Sequence, residues 1–525
     1  MKRSCIPFLM AVVIATGLSA WMPAESAWAA ACTSTKSGNW NDSTVWDCGA
    51  VPGSSDDVTI LATHQIALTQ DESVNNITIQ SAANRLTGAF TLQVFGTLDS
   101  NTTLPNANII SASTLIRFVG STNRPLFGPN WGANTTGLSF EVALDSAATG
   151  TASTAVKGKS IIIVSGTFNV ASEVRPDAGA ADTGSLTINA GASLIVSGRL
   201  SRTSTANTPF ATFMNNGTFR TSSTSAQVWP DPTPCTFAST STVEYSYNGL
   251  PVAQTIQTPA GTSYGNLVLS GTGSKTAPTI LQIRGNLTVS GVTFTAGTGA
   301  VNFIGTVEQV IGGDRAIAFN LLNVAGGANV VIPASATATA LTNNGTITQT
   351  RVVTGSADVN FLGLGGYGGV TLNANSLDLD TTTVAIKGNR PCNNGNELIN
   401  RCFNIIPANT TGRNATITFA YTDSELNGNS CAIMDAYHWN GASWEGPLTV
   451  GNRDCASTPR TLRIINVAAF SPFGLKSGTA PTAITLVVLK ADSIQPSVPL
   501  IFALLVTALT VTGVTHYFRR RSRAS

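Results

Sequence analysis

The sequence predicts an all-β chain: a parallel β-helix (solenoid) followed by a small β-sandwich, with a signal peptide at the front and one C-terminal transmembrane helix. Three observations carry that reading. The composition is poor in charge, 11%, and rich in glycine, with 49 residues, and Thr, Ser, Asn and Val are plentiful, a mixture that suits strands and turns. No long helical period of apolar residues runs between the two ends. From about Val58 to Asp380 a loose phrase recurs, in which Asn or Gly precedes alternating apolar and Thr/Ser residues and another Gly follows.

The two ends are set apart first. Residues 1–31 open with Lys2 and Arg3, continue with an apolar run from Ile6 to Ala20 and close on small residues between Ala29 and Ala31, the pattern of a secretory signal. A lipoprotein site at Cys32 would want a bulky aliphatic residue where Ala29 stands. At the other end, residues 498–518 are uncharged and long enough to cross a hydrocarbon core of roughly 30 Å. Residues 519–525 follow with Arg519, Arg520, Arg521 and Arg523, which by the positive-inside rule places the tail in the cytoplasm and the rest outside.

Without those ends, 23 of the 29 basic and 26 of the 27 acidic residues remain, a balance close to neutral that excludes an electrostatic nucleic-acid binder. Seven cysteines also remain. Six fall into sequence-local pairs, Cys32 with Cys48, Cys392 with Cys402 and Cys431 with Cys455, as expected of disulfide loops formed in an oxidising compartment. Cys235 is left over, either buried or partnered.

Residues 32–60 read as the N-terminal cap of the solenoid. Trp40, Trp46 and the Val51-Pro52-Gly53 turn would cover the first rung, Cys32 and Cys48 would staple the cover, and Asp56-Asp57 would lead into the strand at Val58. Residues 61–383 are the β-helix. Asn266 and Asn286 are twenty residues apart, and Asn323 and Asn344 twenty-one, a spacing that lets short strands stack rung on rung at about 4.8 Å. Val, Ile, Leu and Phe would point inward and Thr and Ser outward, while Asn and Gly turn the corners and stacked Asn side chains bond each other. A set of ordinary β-sandwiches is the alternative. Residues 384–476 carry more aromatic and charged residues and crisp strands, so they read as a β-sandwich, with Trp439-Asn-Gly-Ala-Ser-Trp444 as a hairpin whose Asn-Gly supplies the turn. Residues 477–497 are a linker.

Several of these stretches resemble one type of exported bacterial surface protein. GNWNDSTVWDCGAVPGSSDDVTI is similar to the module that opens exported parallel β-helix proteins, and ITFAYTDSELNG, YHWNGASW and FSPFGL resemble the β-sandwich that often ends them. The tail resembles sorting tails cut by membrane transpeptidases of the exosortase kind, although Ile494-Gln-Pro-Ser-Val-Pro-Leu500 lacks their Pro-Glu-Pro. The resemblance implies a cell-surface or matrix component, held by a permanent anchor or sorted by a transpeptidase.

Chemistry-bearing constellations are few. Parallel β-helices include polysaccharide lyases and hydrolases, and a hydrolase needs two converging carboxylates. Asp378 and Asp380, as i and i+2, would share one strand face, but no second acidic cluster or histidine accompanies them. HExxH, CxxC and GxSxG are absent, Gly441-Ala-Ser-Trp-Glu445 lacks a final glycine, and His64, His438 and His516 are scattered. GTGSKT at 271 lacks a Gly-Lys pair and reads as a turn. Asp56 with Asp57, and Asp423 with Glu425, suit turns and caps better than calcium. Tyr437, Trp439 and Trp444 could form an aromatic face for stacking on glycans, with core packing as the alternative.

The expectation is therefore a non-enzymatic structural or adhesion protein of the cell surface or matrix, without cofactor or metal. Its partners would be the membrane, surface polysaccharide or other surface proteins, and a sorting transpeptidase. A polysaccharide-active β-helix enzyme and a glycan-binding module on an inert stalk are the alternatives.

Overall fold

The computed structural model describes residues 29–478 apart from 81–84, 101–108, 130, 132–137, 177–183, 201–209, 225–234, 250–251, 260–261 and 471. The expected signal segment up to residue 28, and the linker, membrane helix and basic tail from residue 479 onward, lie outside the described residues, as does His516. Among the described residues no helix is long and apolar enough to cross a membrane, and only short 3-10 turns interrupt the strands.

Alternating apolar and Thr/Ser residues fold as predicted, into a parallel β-solenoid of about 12 turns. Its most regular turns hold three short strands. Ser139–Leu144, Thr149–Ala152 and Val156–Gly158 form one, and Ser160–Ser165, Thr167–Val170 and Val174–Pro176 form the next. The two stack in parallel register, Phe140 on Ile161, Gly150 on Phe168 and Val156 on Val174. The burial pattern strictly alternates along such strands, so Phe140, Val142 and Leu144 are buried while Ser139, Glu141 and Ala143 face outward. Period two is what a pleated strand imposes when one face meets a core. Stacking like on like builds columns inside the coil, and Phe118, Phe127, Phe140 and Phe168 meet with ring centroids 5.0 to 6.2 Å apart. Burial of each such side chain stabilises the stack by about 1.5–3 kcal/mol.

The Asn spacing marks the corners, with one change of partner. Leu267 stacks on Leu287, so Asn286 lies over Asn266 and its backbone N–H donates to Asn266 Oδ1 at 2.9 Å. Asn286 Oδ1 in turn accepts from Val310 N. Asn323, however, bonds Asn302 Oδ1 at 2.7 Å rather than Asn344, because Asn302 and Asn323 are opposite in register while Asn323 faces Thr342 on its other side.

The N-terminal segment is both first rung and lid. Ala31–Thr33 is already a strand, parallel to Asp57–Ile60, so the stack begins before the Val58 strand where the sequence placed its start. Between them the chain folds over the coil end: Thr35 N donates to Val45 O, Ser34 bridges Trp46 antiparallel, and Val45, Trp40 and Trp46 are buried. The two indoles meet edge to face at 5.1 Å, and Trp46 Nε1 donates to Trp40 O. Asp56 receives Ala30 N and Gly53 N, and Asp57 receives both Asn75 and Asn76 side chains.

Parallel pairing ends earlier than residue 383. Thr346–Val353 pairs parallel with Asn329–Val331 through Thr346–Thr348, and along its whole length antiparallel with Asp380–Gly388. From there two antiparallel sheets follow. One continues through Arg401–Pro407, Phe473–Ser477, Met434–Trp439 and Trp444–Glu445. The other orders Val359–Phe361, Val370–Asn373, Ala415–Tyr421, Arg460–Val467 and Val450–Asp454, so residues 359–373 belong to this unit and not to the coil. Phe403 and Phe473 of the first sheet pack on Phe419 of the second at 4.8 and 5.5 Å. One hydrophobic core runs from Cys32 to Leu475, and the shared strand Thr346–Val353 splices coil and antiparallel unit together.

Candidate functional site

The splice leaves a polar cavity of about 350 Å³ between the last coil turn and the antiparallel unit. Its walls come from five places in the chain, Asn389 just after the strand Asp380–Gly388 among them. Thr342 and Asn343 end the coil strand Thr337–Asn343, and Asn344 follows it. Gly365, Gly366 and Tyr367 form the loop between Val359–Phe361 and Val370–Asn373. Arg401 opens the strand Arg401–Pro407, and Thr422, Ser424 and Glu425 follow Ala415–Tyr421. Both glycines have positive φ, 54° and 69°, a conformation that costs glycine little.

Arg401 organises this junction. It occupies the inward register of the strand whose other inward residues are Phe403, Ile405 and Pro407, and its side chain is fully buried. Burial of a guanidinium requires compensation. Nε pairs with Glu425 Oε1 at 2.8 Å, Nη1 donates to the carbonyls of Tyr367, Gly368 and Ala420, and the guanidinium lies 3.7 Å from the Tyr367 ring centroid. Glu425 Oε2 accepts from Thr422 N and Oγ1, a capping box that sets the turn Asp423–Glu425. Tyr367 Oη accepts from Asn343 Nδ2 at 3.1 Å, and burial pushes its phenol above the usual range. Two donors remain without an acceptor among the described residues: Arg401 Nη2, which is buried, and the Tyr367 hydroxyl hydrogen.

Asn344 also lines a second cavity, of about 260 Å³, with Asn329, Thr346, Lys387 and Arg390. No ion pair engages Lys387 or Arg390 among the described residues, and Asn329 Oδ1 is buried without a donor.

The residues singled out from sequence are placed as follows. All three disulfides are closed, Cys32–Cys48, Cys392–Cys402 and Cys431–Cys455. Cys235 is free and buried, and burial pushes its thiol up to about 12, which leaves it an inert core group. Asp378 and Asp380 do not share a strand face. Asp378 lies before the strand and its Oδ1 accepts from Gly355 N at 2.7 Å, while Asp380 begins the strand at φ +62° and accepts from Asn409. Asp423 pairs with Arg460, whose hydrogen bond holds its carboxyl below the usual range. His64 bonds Ser34, and His438 faces Glu445 at 3.5 Å. Among the described residues no group of three His, Cys, Asp or Glu could hold a metal.

The aromatic trio is divided. Tyr437 and Trp444 are buried with Cys392 and Leu398 in a small cluster, so neither offers a ring face to solvent. Trp439 is half-buried and borders an open groove with Asn440, Glu445, Phe470 and Pro472. The hairpin carrying it is looser than a two-residue turn. Trp439 pairs with Trp444 across four residues, and Asn440 Oδ1 accepts from Ala442 N and Ser443 N. GTGSKT is also more than a turn, because Ser274–Thr276 is a strand with Lys275 pointing inward, Nζ donating to Tyr247 O at 3.1 Å.

Sequence reading passed over Arg401, Tyr367 and the junction. The available signals were an arginine at an inward position of an otherwise apolar strand, and the Thr-Asp-Ser-Glu capping box at 422. Comparison with family models, with curated proteins and with solved structures finds no match, so the functional reading rests on this geometry and on the sequence.

Proposed function

We propose that the chain is an exported, non-enzymatic structural or adhesion protein of the cell surface or extracellular matrix. In this reading the solenoid is a stiff spacer, the antiparallel unit is a membrane-proximal β-sandwich, and the C-terminal segment is an anchor or an exosortase-like sorting tail. The observation that carries it is the set of three closed disulfides, one in the lid of the coil and two in the antiparallel unit, in a chain of low charge, since disulfides persist in oxidising compartments and the signal-like and tail-like ends point to the same place. A polysaccharide-active enzyme finds no support at Asp378 and Asp380, whose carboxylates cap neighbouring backbone and side chain. Glycan binding on a stalk is the second reading, favoured by the Trp439 groove and by the polar junction.

The test is fractionation of the native cells with mass spectrometry of the mature ends. An envelope or surface protein that starts near Ala30 to Cys32 supports the proposal, and a C-terminus before Val498 assigns the tail to sorting. Recovery of the intact chain from the cytosol overturns it.

A further inference from the structure

We infer that the junction cleft is a binding site for an anionic saccharide, one sugar-acid unit with its neighbour in a surface polysaccharide. The inference deepens the surface reading and rests on it only for the source of the ligand.

Size is the first argument. The junction cavity, about 350 Å³, falls within the range of small-molecule sites, and a second cavity of about 260 Å³ shares Asn344 with it. Polarity is the second. Thr342, Asn344, Asn389 and Ser424 form an exposed rim, and no side-chain hydrogen bond within the described chain engages Thr342, Asn344 or Asn389. Amides and hydroxyls at a rim match sugar hydroxyls, which both donate and accept.

Unsatisfied groups are the third argument. Buried polar atoms are nearly always hydrogen-bonded, yet the junction cavity holds two donors in need of an acceptor, Arg401 Nη2 and the Tyr367 hydroxyl, and the adjoining cavity one acceptor in need of a donor, Asn329 Oδ1. A ligand rich in hydroxyls answers both kinds; an apolar one answers neither. Charge is the fourth. Glu425 neutralises Arg401, but Lys387 and Arg390 line the adjoining cavity, which shares Asn344 with the first, without a counter-ion among the described residues. Two cations beside a hydroxyl-matching cavity call for a carboxylate on the sugar. Trp439 and its groove lie elsewhere, at the hairpin, and share no lining residue with the cleft.

The experiment is calorimetric titration of the full-length chain with oligogalacturonate, with neutral cello-oligosaccharide and with free galacturonic acid. Oligogalacturonate is expected to bind at least tenfold more tightly than the neutral oligomer, and more weakly as salt rises. Free galacturonic acid is expected to bind more weakly than the oligomer, and equal binding of the two would overturn the two-unit site. Lys387→Ala with Arg390→Ala, both exposed, and Asn344→Ala are each expected to weaken binding at least tenfold while thermal unfolding stays unchanged. Trp439→Ala is expected to leave it intact. Absence of binding, equal binding of the neutral oligomer, indifference to the cleft variants, or loss on Trp439→Ala would each overturn the site. A surface-located protein that fails these titrations loses the cleft assignment and keeps its location; a cytosolic protein that passes them keeps the cleft and loses the surface reading.

Discussion

At the scale of single residues, the polar groups hidden in the core set the most specific expectations. Lys275 is fully buried, and burial depresses its ammonium to about 8, with Glu244 opposing the shift. Between about pH 8 and the unfolded value near 10.5 the unfolded chain holds the extra proton, so stability rises with pH through that window. Lys275→Met is therefore expected to stabilise the protein at pH 7 by about 1–2 kcal/mol, with the gain shrinking toward pH 10.5; denaturant titrations at the two pH values check this. Arg401→Ala strips Glu425 and three carbonyls of their partner and is expected to cost about 3–5 kcal/mol, read from the same titration. Neither residue was legible in the sequence. Alternation reveals which positions face inward, but a cation at such a position reads as an exception to the strand, because only the fold supplies the carbonyls and the ring that accommodate it. Arg401 finds its acceptors in segments 367–368 and 420, remote along the chain.

At the scale of elements, legibility followed locality. Disulfides between cysteines 10, 16 and 24 residues apart were readable because short loops bring their ends together with little help from the rest of the chain. The rung spacing was readable because Asn266 and Asn286 repeat one environment. The passage from parallel to antiparallel pairing was not, since Thr346–Val353 has the same texture as a coil strand and takes part in both. Tyr437, Trp439 and Trp444 were divided for a related reason: which face of a hairpin is core depends on what packs against it, here Cys392 and Leu398. Two outcomes belong at this scale. Replacing Cys32 and Cys48 by serine opens a sixteen-residue loop and is expected to remove about 3 kcal/mol from the lid end of the coil, checked by hydrogen exchange at residues 31–60 against residues 266–303. Phe140→Ala removes one member of the stacked aromatic column and is expected to cost about 3–5 kcal/mol, checked by thermal unfolding.

At the scale of the whole molecule, length and location set the expectations. About 12 turns at about 4.8 Å each give a coil of roughly 55–60 Å, before the antiparallel unit adds its own extent. Small-angle scattering should therefore return a radius of gyration above the roughly 24 Å of a compact chain of this size. The lid over the first rung, whose own Trp40, Val45 and Trp46 are buried, covers one end of the coil, and the antiparallel sheets occupy the other. Both ends of the stack are thus closed to the edge-to-edge pairing that would extend it into a filament.

The central claim, an exported protein whose coil and antiparallel unit are stapled by disulfides, is tested most directly by mapping thiols in the protein taken from its own cells. Cells are quenched with an alkylating reagent, and the chain is digested without reduction for mass spectrometry. The expected result is linked peptides for Cys32–Cys48, Cys392–Cys402 and Cys431–Cys455, Cys235 alkylated only after unfolding, and no peptide from residues 1–28. Six alkylated cysteines on a chain that still begins at Met1 would contradict it.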